Sequence, residues 1–215
     1  MITAADIRAW VFDLDNTLYP ARELYDEIGV RMTHYIARKL SLAEADALEI
    51  QERYFHDYGA TVVGLVRHHG VDAADFLLDV HAADHAVLQA DAELRDLIGR
   101  LPGRRIIFTN GGGGHAERVL ERLNLADLFD TVLDIEACGL APKPQRESYE
   151  RVLALSGIEA RGAILIEDTL RNLEPAHDMG FATALVGLVH PEPLPPYVDF
   201  WAPDVKSLLR GLLEA

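Results

Sequence analysis

The chain has 215 residues, 49% of them hydrophobic and 26% charged, a composition that buries a core without covalent staples. Thirty-five acidic and 20 basic residues leave a net charge of −15, a field that repels nucleic acid and anionic membrane surfaces. The single cysteine, Cys138, excludes an internal disulfide, and no apolar run reaches the length that spans a bilayer.

In chain order, the apolar run Ala9–Phe12 comes first and reads as a strand buried on both faces. The interval from Ala21 to Asp96 is helical in pattern. Apolar residues recur at three- and four-residue spacing over Glu23–Leu40, Leu42–Tyr58, Thr61–His69 and Ala73–Leu88. Strands follow at Arg105–Phe108, Thr131–Asp134, Ala163–Ile166 and Ala182–Val186. Helices at Ala116–Leu123, Glu147–Leu155 and Asn172–Met179 alternate with them, closed by Asn124, Gly157 and Gly180. The Pro-rich segment His190–Pro196 precedes a last strand and a helix near Lys206–Leu213. Such alternation predicts an α/β fold, a doubly wound, mostly parallel sheet of Rossmann type. The long helical interval predicts a cap inserted after the first strand. The expected division is a core of 1–20 and 97–215 with a cap of 21–96, hinged near Tyr19–Arg22 and Asp91–Leu101.

Ligands of an open α/β sheet bind beyond the carboxyl ends of its strands. The residues there are Asp13, Asp15 and Thr17 after the first strand, and Thr109, Asn110 and Gly111 after the second. Lys143 follows the third, and Glu167 and Asp168 end the fourth. This is the set that phosphoryl transfer through a carboxylate requires. Asp13 is the expected nucleophile, and Mg²⁺ would be held by the Asp13 and Asp168 carboxylates and the Asp15 carbonyl. Asp15 would protonate the leaving oxygen and then activate water, its carboxyl kept partly protonated by burial and nearby negative charge. Thr109 and the backbone N–H groups of Asn110 and Gly111 would hold phosphate oxygens, and Lys143 would offset transition-state charge.

These motifs resemble the haloacid dehalogenase superfamily, with Asp13-x-Asp15-x-Thr17, Thr109, Lys143 and Glu167-Asp168 as its four motifs. The resemblance covers nearly the whole chain and implies the inserted cap. Dehalogenases proper lack the second Asp, so Asp15 implies a phosphatase. Phe12–Pro20, Phe108-Thr109-Asn110 with His115–Leu120, Lys143-Pro144 with Tyr149, and Glu167–Asn172 are similar to the pyrimidine 5′-nucleotidase subfamily. Tyr58-Gly59 and Gly64-Leu65-Val66 in the cap are similar to it as well. That likeness implies a nucleoside 5′-monophosphate substrate, with Asn172 orienting Lys143 and the metal site. The chain departs from the subfamily at Glu167, where an Asp is common, and at Gly111–Gly114, where bulkier residues stand.

Tyr58 and Arg67 are the cap candidates for stacking on a base or holding its polar edge. Adjacent His68 and His69 point in different directions and make a poor chelate, and Cys138 reads as a small buried hydrophobe. The partner expected is a small phosphorylated metabolite. The alternatives are a sugar phosphate, phosphoglycolate or pyridoxal phosphate phosphatase, and, more distantly, a phosphoaspartate signalling module. Near its start the chain has no basic segment leading into an apolar run and cleavage site, so a cytoplasmic location is expected.

Overall fold

The computed structural model describes residues 3–215. Six strands form one sheet: β1 (Ala9–Phe12), β2 (Arg104–Phe108), β3 (Thr131–Leu133), β4 (Ala163–Glu167), β5 (Ala182–Val186) and β6 (Phe200–Ala202). Their order is β3-β2-β1-β4-β5-β6, and every neighbouring pair is parallel. The chain moves outward from β1 through β2 to β3, then crosses back to β4 on the other side of β1. The sheet's switch point therefore lies between β1 and β4, paired in register from Ala9↔Ala163 to Phe12↔Ile166.

Alternation along the strands fills two cores. Trp10, Phe12, Ile164 and Ile166 pack on one face, while Ala9, Val11, Ala163 and Leu165 pack on the other. The first face is covered by α5 (Ala92–Gly99), α6 (His115–Arg122) and α9 (Val205–Glu214), the second by α7 (Arg146–Ser156) and α8 (Leu170–Asp178). Both faces being buried is why these strands read as unbroken apolar runs.

Between β1 and β2 lie α1 (Arg22–Leu40), α2 (Glu44–Tyr58), α3 (Thr61–His69) and α4 (Ala73–Val80), the inserted helical cap. It has its own core, in which Tyr35, Ile36, Ala47, Tyr54, Leu65 and Phe76 are buried. A methyl group at Gly64 would lie 2.2 Å from the Tyr54 ring, so α2 and α3 approach as closely as they do because position 64 carries no side chain.

Two expectations change. The fourth cap helix does not run to Leu88; it stops at Val80, and only a short 3₁₀ turn, His85–Val87, follows. The segment Asp91–Leu101, expected as a passage between core and cap, carries α5, which straddles the expected boundary at 96/97. Asp91 caps it by accepting from the N–H groups of Glu93 and Leu94. Lys206 on α9 reaches the Asp91 carboxylate at 2.7 Å, and Arg210 pairs with Glu93, which ties α5 to the core. No helix among the described residues is long and apolar enough to cross a membrane.

Candidate active site

The carboxyl ends of β1, β2 and β4 open into one cavity of about 430 Å³, roofed by α1, α2 and α4. Asp13 sits one residue past β1, its N–H donating to the Ile166 carbonyl at 2.9 Å, so its backbone is fixed by the sheet ladder. One of its carboxylate oxygens takes the Lys143 ammonium at 2.7 Å and the other the Thr17 hydroxyl at 2.9 Å. Lys143 is 1% exposed and spends its three donors on Asp13, on Glu167 at 2.7 Å and on the Phe108 carbonyl at 2.9 Å. Its backbone is clamped too. Asn110 donates to the Lys143 carbonyl (3.1 Å) and accepts from the Lys143 N–H (2.8 Å), joining the loops after β2 and β3.

Glu167 has its oxygens occupied: Lys143 and the Asn172 amide (2.7 Å) on one, the Thr169 N–H (2.8 Å) on the other. Tyr149 reaches from α7 to the Asn172 carbonyl at 2.6 Å and holds that turn. Asp168 is less buried and, among the described residues, accepts only from Thr169 within its own loop. Thr109 accepts from the Gly111 N–H at 3.0 Å, and Thr109, Asn110 and Gly111 all line the cavity.

Oxygens of Asp13, Glu167 and Asp168 lie within 4.8 Å of one another. Three carboxylates around one ammonium leave two negative charges uncompensated, and the protonation equilibria record the strain. Burial pushes the Asp13 carboxyl up to about 7 against the pull of Lys143. Burial also raises Glu167 and Asp168, again opposed by Lys143. For Lys143, burial works against the charge, but Asp13 and Glu167 outweigh it and hold the ammonium charged. All the donors are hard oxygens and the charge deficit is two, which fits a divalent cation such as Mg²⁺. Glu167 accepts three hydrogen bonds, Asp13 one on each oxygen and Asp168 one in all, so Asp13 and Asp168 keep the most acceptor capacity for a cation.

Asp15 differs from expectation. Burial does push its carboxyl up, but His115 and Tyr19 pull it down further, so it lies below its ordinary value. His115 Nε2 sits 2.9 Å from Asp15 Oδ1, and the Tyr19 hydroxyl donates to the same oxygen. His85 and His81 pack on His115, the former at 3.3 Å between ring nitrogens and the latter with 4.8 Å between ring centroids.

In the cap, Tyr58 and Arg67 are not among the residues lining the cavity. The Tyr58 hydroxyl bonds His68 Nε2 at 2.5 Å, and the Arg67 guanidinium stacks over the Tyr58 ring. Gly59, with φ +82°, instead brings the end of α2 against the Lys143 loop, where a Cβ would lie 3.3 Å from the Lys143 carbonyl oxygen. The side of α2 that faces the cavity carries Gln51, Glu52 and Phe55. Opposite, Arg171 lies 5.5 Å over the Phe55 ring and makes no ion pair or hydrogen bond among the described residues. The glycine run after β2 is neither a cradle alone nor slack: a Cβ at Gly113 would lie 2.6 Å from the Leu77 backbone of α4.

The family model of haloacid dehalogenase-like hydrolases matches residues 7–180, which include β1, β2, β4 and every carboxylate of the site. The chain belongs to the haloacid dehalogenase-like hydrolases. It is similar to "Phosphate metabolism protein 8" of Saccharomyces cerevisiae, 26% identical over 191 residues. That match covers 80% of this chain but only 59% of the yeast protein. Two solved haloacid dehalogenase-like structures share the fold. An L-2-haloacid dehalogenase of Xanthobacter autotrophicus is 18% identical with a TM-score of 0.61, covering 95% of this chain and 97% of that one. A HAD phosphatase of Thermococcus onnurineus is 17% identical with a TM-score of 0.64, covering 96% and 98%.

Proposed function

We propose that this hydrolase is a Mg²⁺-dependent phosphomonoesterase that works through an aspartyl-phosphate on Asp13. The observation that carries the reading is the convergence of Asp13 and Asp168 on one point beside Lys143, with a second acid, Asp15, two residues beyond the nucleophile. When bound between Asp13 and Asp168, the cation supplies positive charge that lets an anionic carboxylate approach an anionic phosphate.

The Asp13 oxygen that Lys143 addresses attacks phosphorus in line as the bond to the leaving oxygen breaks. Lys143 favours the ionised form of Asp13 against its burial and orients it, and Thr17 fixes the other oxygen. The Thr109 hydroxyl and the Asn110 N–H hold non-reacting phosphate oxygens, the Gly111 N–H being spent on Thr109. Asp15 gives its proton to the leaving oxygen, then takes one from the water that attacks phosphorus and frees Asp13. A bound phosphate adds negative charge beside Asp15 and raises its proton affinity, countering His115 and Tyr19. A halide would leave without a proton, so the acid in this position favours phosphate esters over carbon–halogen bonds.

The substrate class we infer is a nucleoside 5′-monophosphate. Phe55 offers an aromatic face, Arg171 an unpaired donor and Glu52 an acceptor on the cavity wall, which together suit a flat ring bearing both carbonyl and N–H groups. The test is steady-state hydrolysis of a panel of nucleotides, sugar phosphates, phosphoglycolate and pyridoxal phosphate with Mg²⁺, repeated with chelator. A rate indifferent to chelator would count against the cation. A flat profile across the panel would remove the nucleotide assignment and leave the phosphatase chemistry standing.

A further inference from the structure

The most unusual packing around the cavity is the trio of histidines behind Asp15. All three are buried: His115 is 1% exposed, His81 5% and His85 7%. They come from separate places, with His81 just past the cap helix α4, His85 in the returning segment and His115 at the first position of α6. That segment is fastened to α6: Arg118 donates to the carbonyls of His81 and Gly113, and Arg122 donates to the carbonyl of His85. His115 therefore cannot turn away from Asp15 without displacing two rings and the strap that carries them.

The bonding at Asp15 is one-sided. Tyr19 and His115 both address Oδ1, and no donor among the described residues addresses Oδ2. A carboxyl group whose one oxygen accepts two hydrogen bonds keeps its proton on the other. The same two donors stabilise the carboxylate as it forms.

We propose that His115 and Tyr19 are positioning residues for proton transfer, holding Asp15 by Oδ1 so that Oδ2 carries the proton exchanged with the scissile oxygen. The inference rests on Asp15 being the acid of a phosphatase. As the P–O bond breaks, the Oδ2 proton passes to the leaving oxygen and the Asp15 carboxylate remains, with both donors still on Oδ1. Neither ring touches the substrate or gains or loses a proton in this step.

The consequence is a selectivity for leaving groups. An alkoxide must be protonated as it departs, but the acetate of acetyl phosphate leaves unaided. The experiment compares kcat/KM for glycerol phosphate and acetyl phosphate, with Mg²⁺, in wild type, His115→Leu, His115→Gln and Tyr19→Phe. This ratio reports events up to release of the first product. With the acid misplaced, His115→Leu should lose on the order of 100-fold on glycerol phosphate. Acetyl phosphate should fall by less than about 3-fold, since it draws on no proton. His115→Gln, which keeps an N–H at the same reach, should recover most of the loss, and Tyr19→Phe should show the same selectivity as His115→Leu. Equal losses on both substrates, or none, would overturn the assignment. Should His115→Leu fail to fold by circular dichroism, Tyr19→Phe decides alone, since it keeps a ring of nearly equal size. A wild-type protein inert toward both substrates would overturn the phosphatase reading and this inference with it.

Discussion

Replacing Lys143 with Met tests the charge balance of the site directly. The side chain is nearly isosteric, so packing against the Phe108 ring survives, while the donors to Asp13, Glu167 and the Phe108 carbonyl are lost together. Removing one partner of a buried ion pair costs about 3–5 kcal/mol, because the remaining charge is stranded away from water. For a chain of this length each kcal/mol moves Tm by about 2–4 °C, so Lys143→Met should melt roughly 6–20 °C below wild type at pH 8 in chelator. The loss should shrink at pH 5. Asp13 already holds its proton up to about 7, and without the ammonium it holds it higher still, so below that range one stranded charge is neutral. Mg²⁺ should restore part of the difference at pH 8 by supplying charge to Asp13 and Asp168. The assay is thermal unfolding by circular dichroism at both pH values, with and without Mg²⁺. A Lys143→Met protein that melts within about 2 °C of wild type at pH 8 would refute the premise that Lys143 compensates buried carboxylates.

Asp13→Asn should cut turnover by more than about 10⁴-fold, read with any substrate of the wild type. It should also melt higher than wild type in chelator at pH 8. The raised folded-state value means that the stability Asp13 contributes is present below about 4 and lost as pH rises through about 7, so the gap should narrow at pH 5. His81 works in the opposite sense: burial, then the neighbouring His115, lower it to about 4. Its contribution is present above pH 6.5 and is lost as pH falls toward 4, worth roughly 3 kcal/mol at 1.36 kcal/mol per unit. His81→Leu should accordingly flatten the acid limb of a Tm–pH curve, and an unchanged limb would show that another group sets it. Gly113→Ala combines a φ of +59° with a Cβ 2.6 Å from the Leu77 backbone, whereas Gly157→Ala, at φ +70°, meets nothing within 4 Å. Urea denaturation should find Gly157→Ala costing about 1 kcal/mol and Gly113→Ala at least twice that; equal costs would mean the loop yields freely.

The strands were legible because β1 and β4 are buried on both faces, and their apolar runs ended where the chemistry begins. Asp13, Lys143, Glu167 and Asp168 could be picked out for the same reason: in a doubly wound sheet, position past a strand end is already spatial information. The cap gave no such shortcut. Phe55 and Tyr58 lie three residues apart on α2, and which of them faces the cavity depends on how α2 rolls against α3, where Tyr58 is drawn to His68. Helix α5 does carry a signal, an Asp at the cap position ahead of Leu94, Leu97 and Ile98, but its eight residues directly follow the long helical interval and share its apolar spacing. The grip of His115 on Asp15 spans 100 residues of sequence, and neither residue's neighbours hint at the other.

The loop after β2 meets α4 almost backbone to backbone, since a Cβ at Gly112 would come 2.9 Å from the Leu77 side chain and one at Gly113 closer still to its main chain. The height of the ceiling above that end of the cavity is thus governed by two residues that present only hydrogen atoms toward it. Any bulk added there would have to jack α4 upward, enlarging the chamber from outside. The volume of the cavity is in this way set from outside its lining, by two positions that carry no side chain.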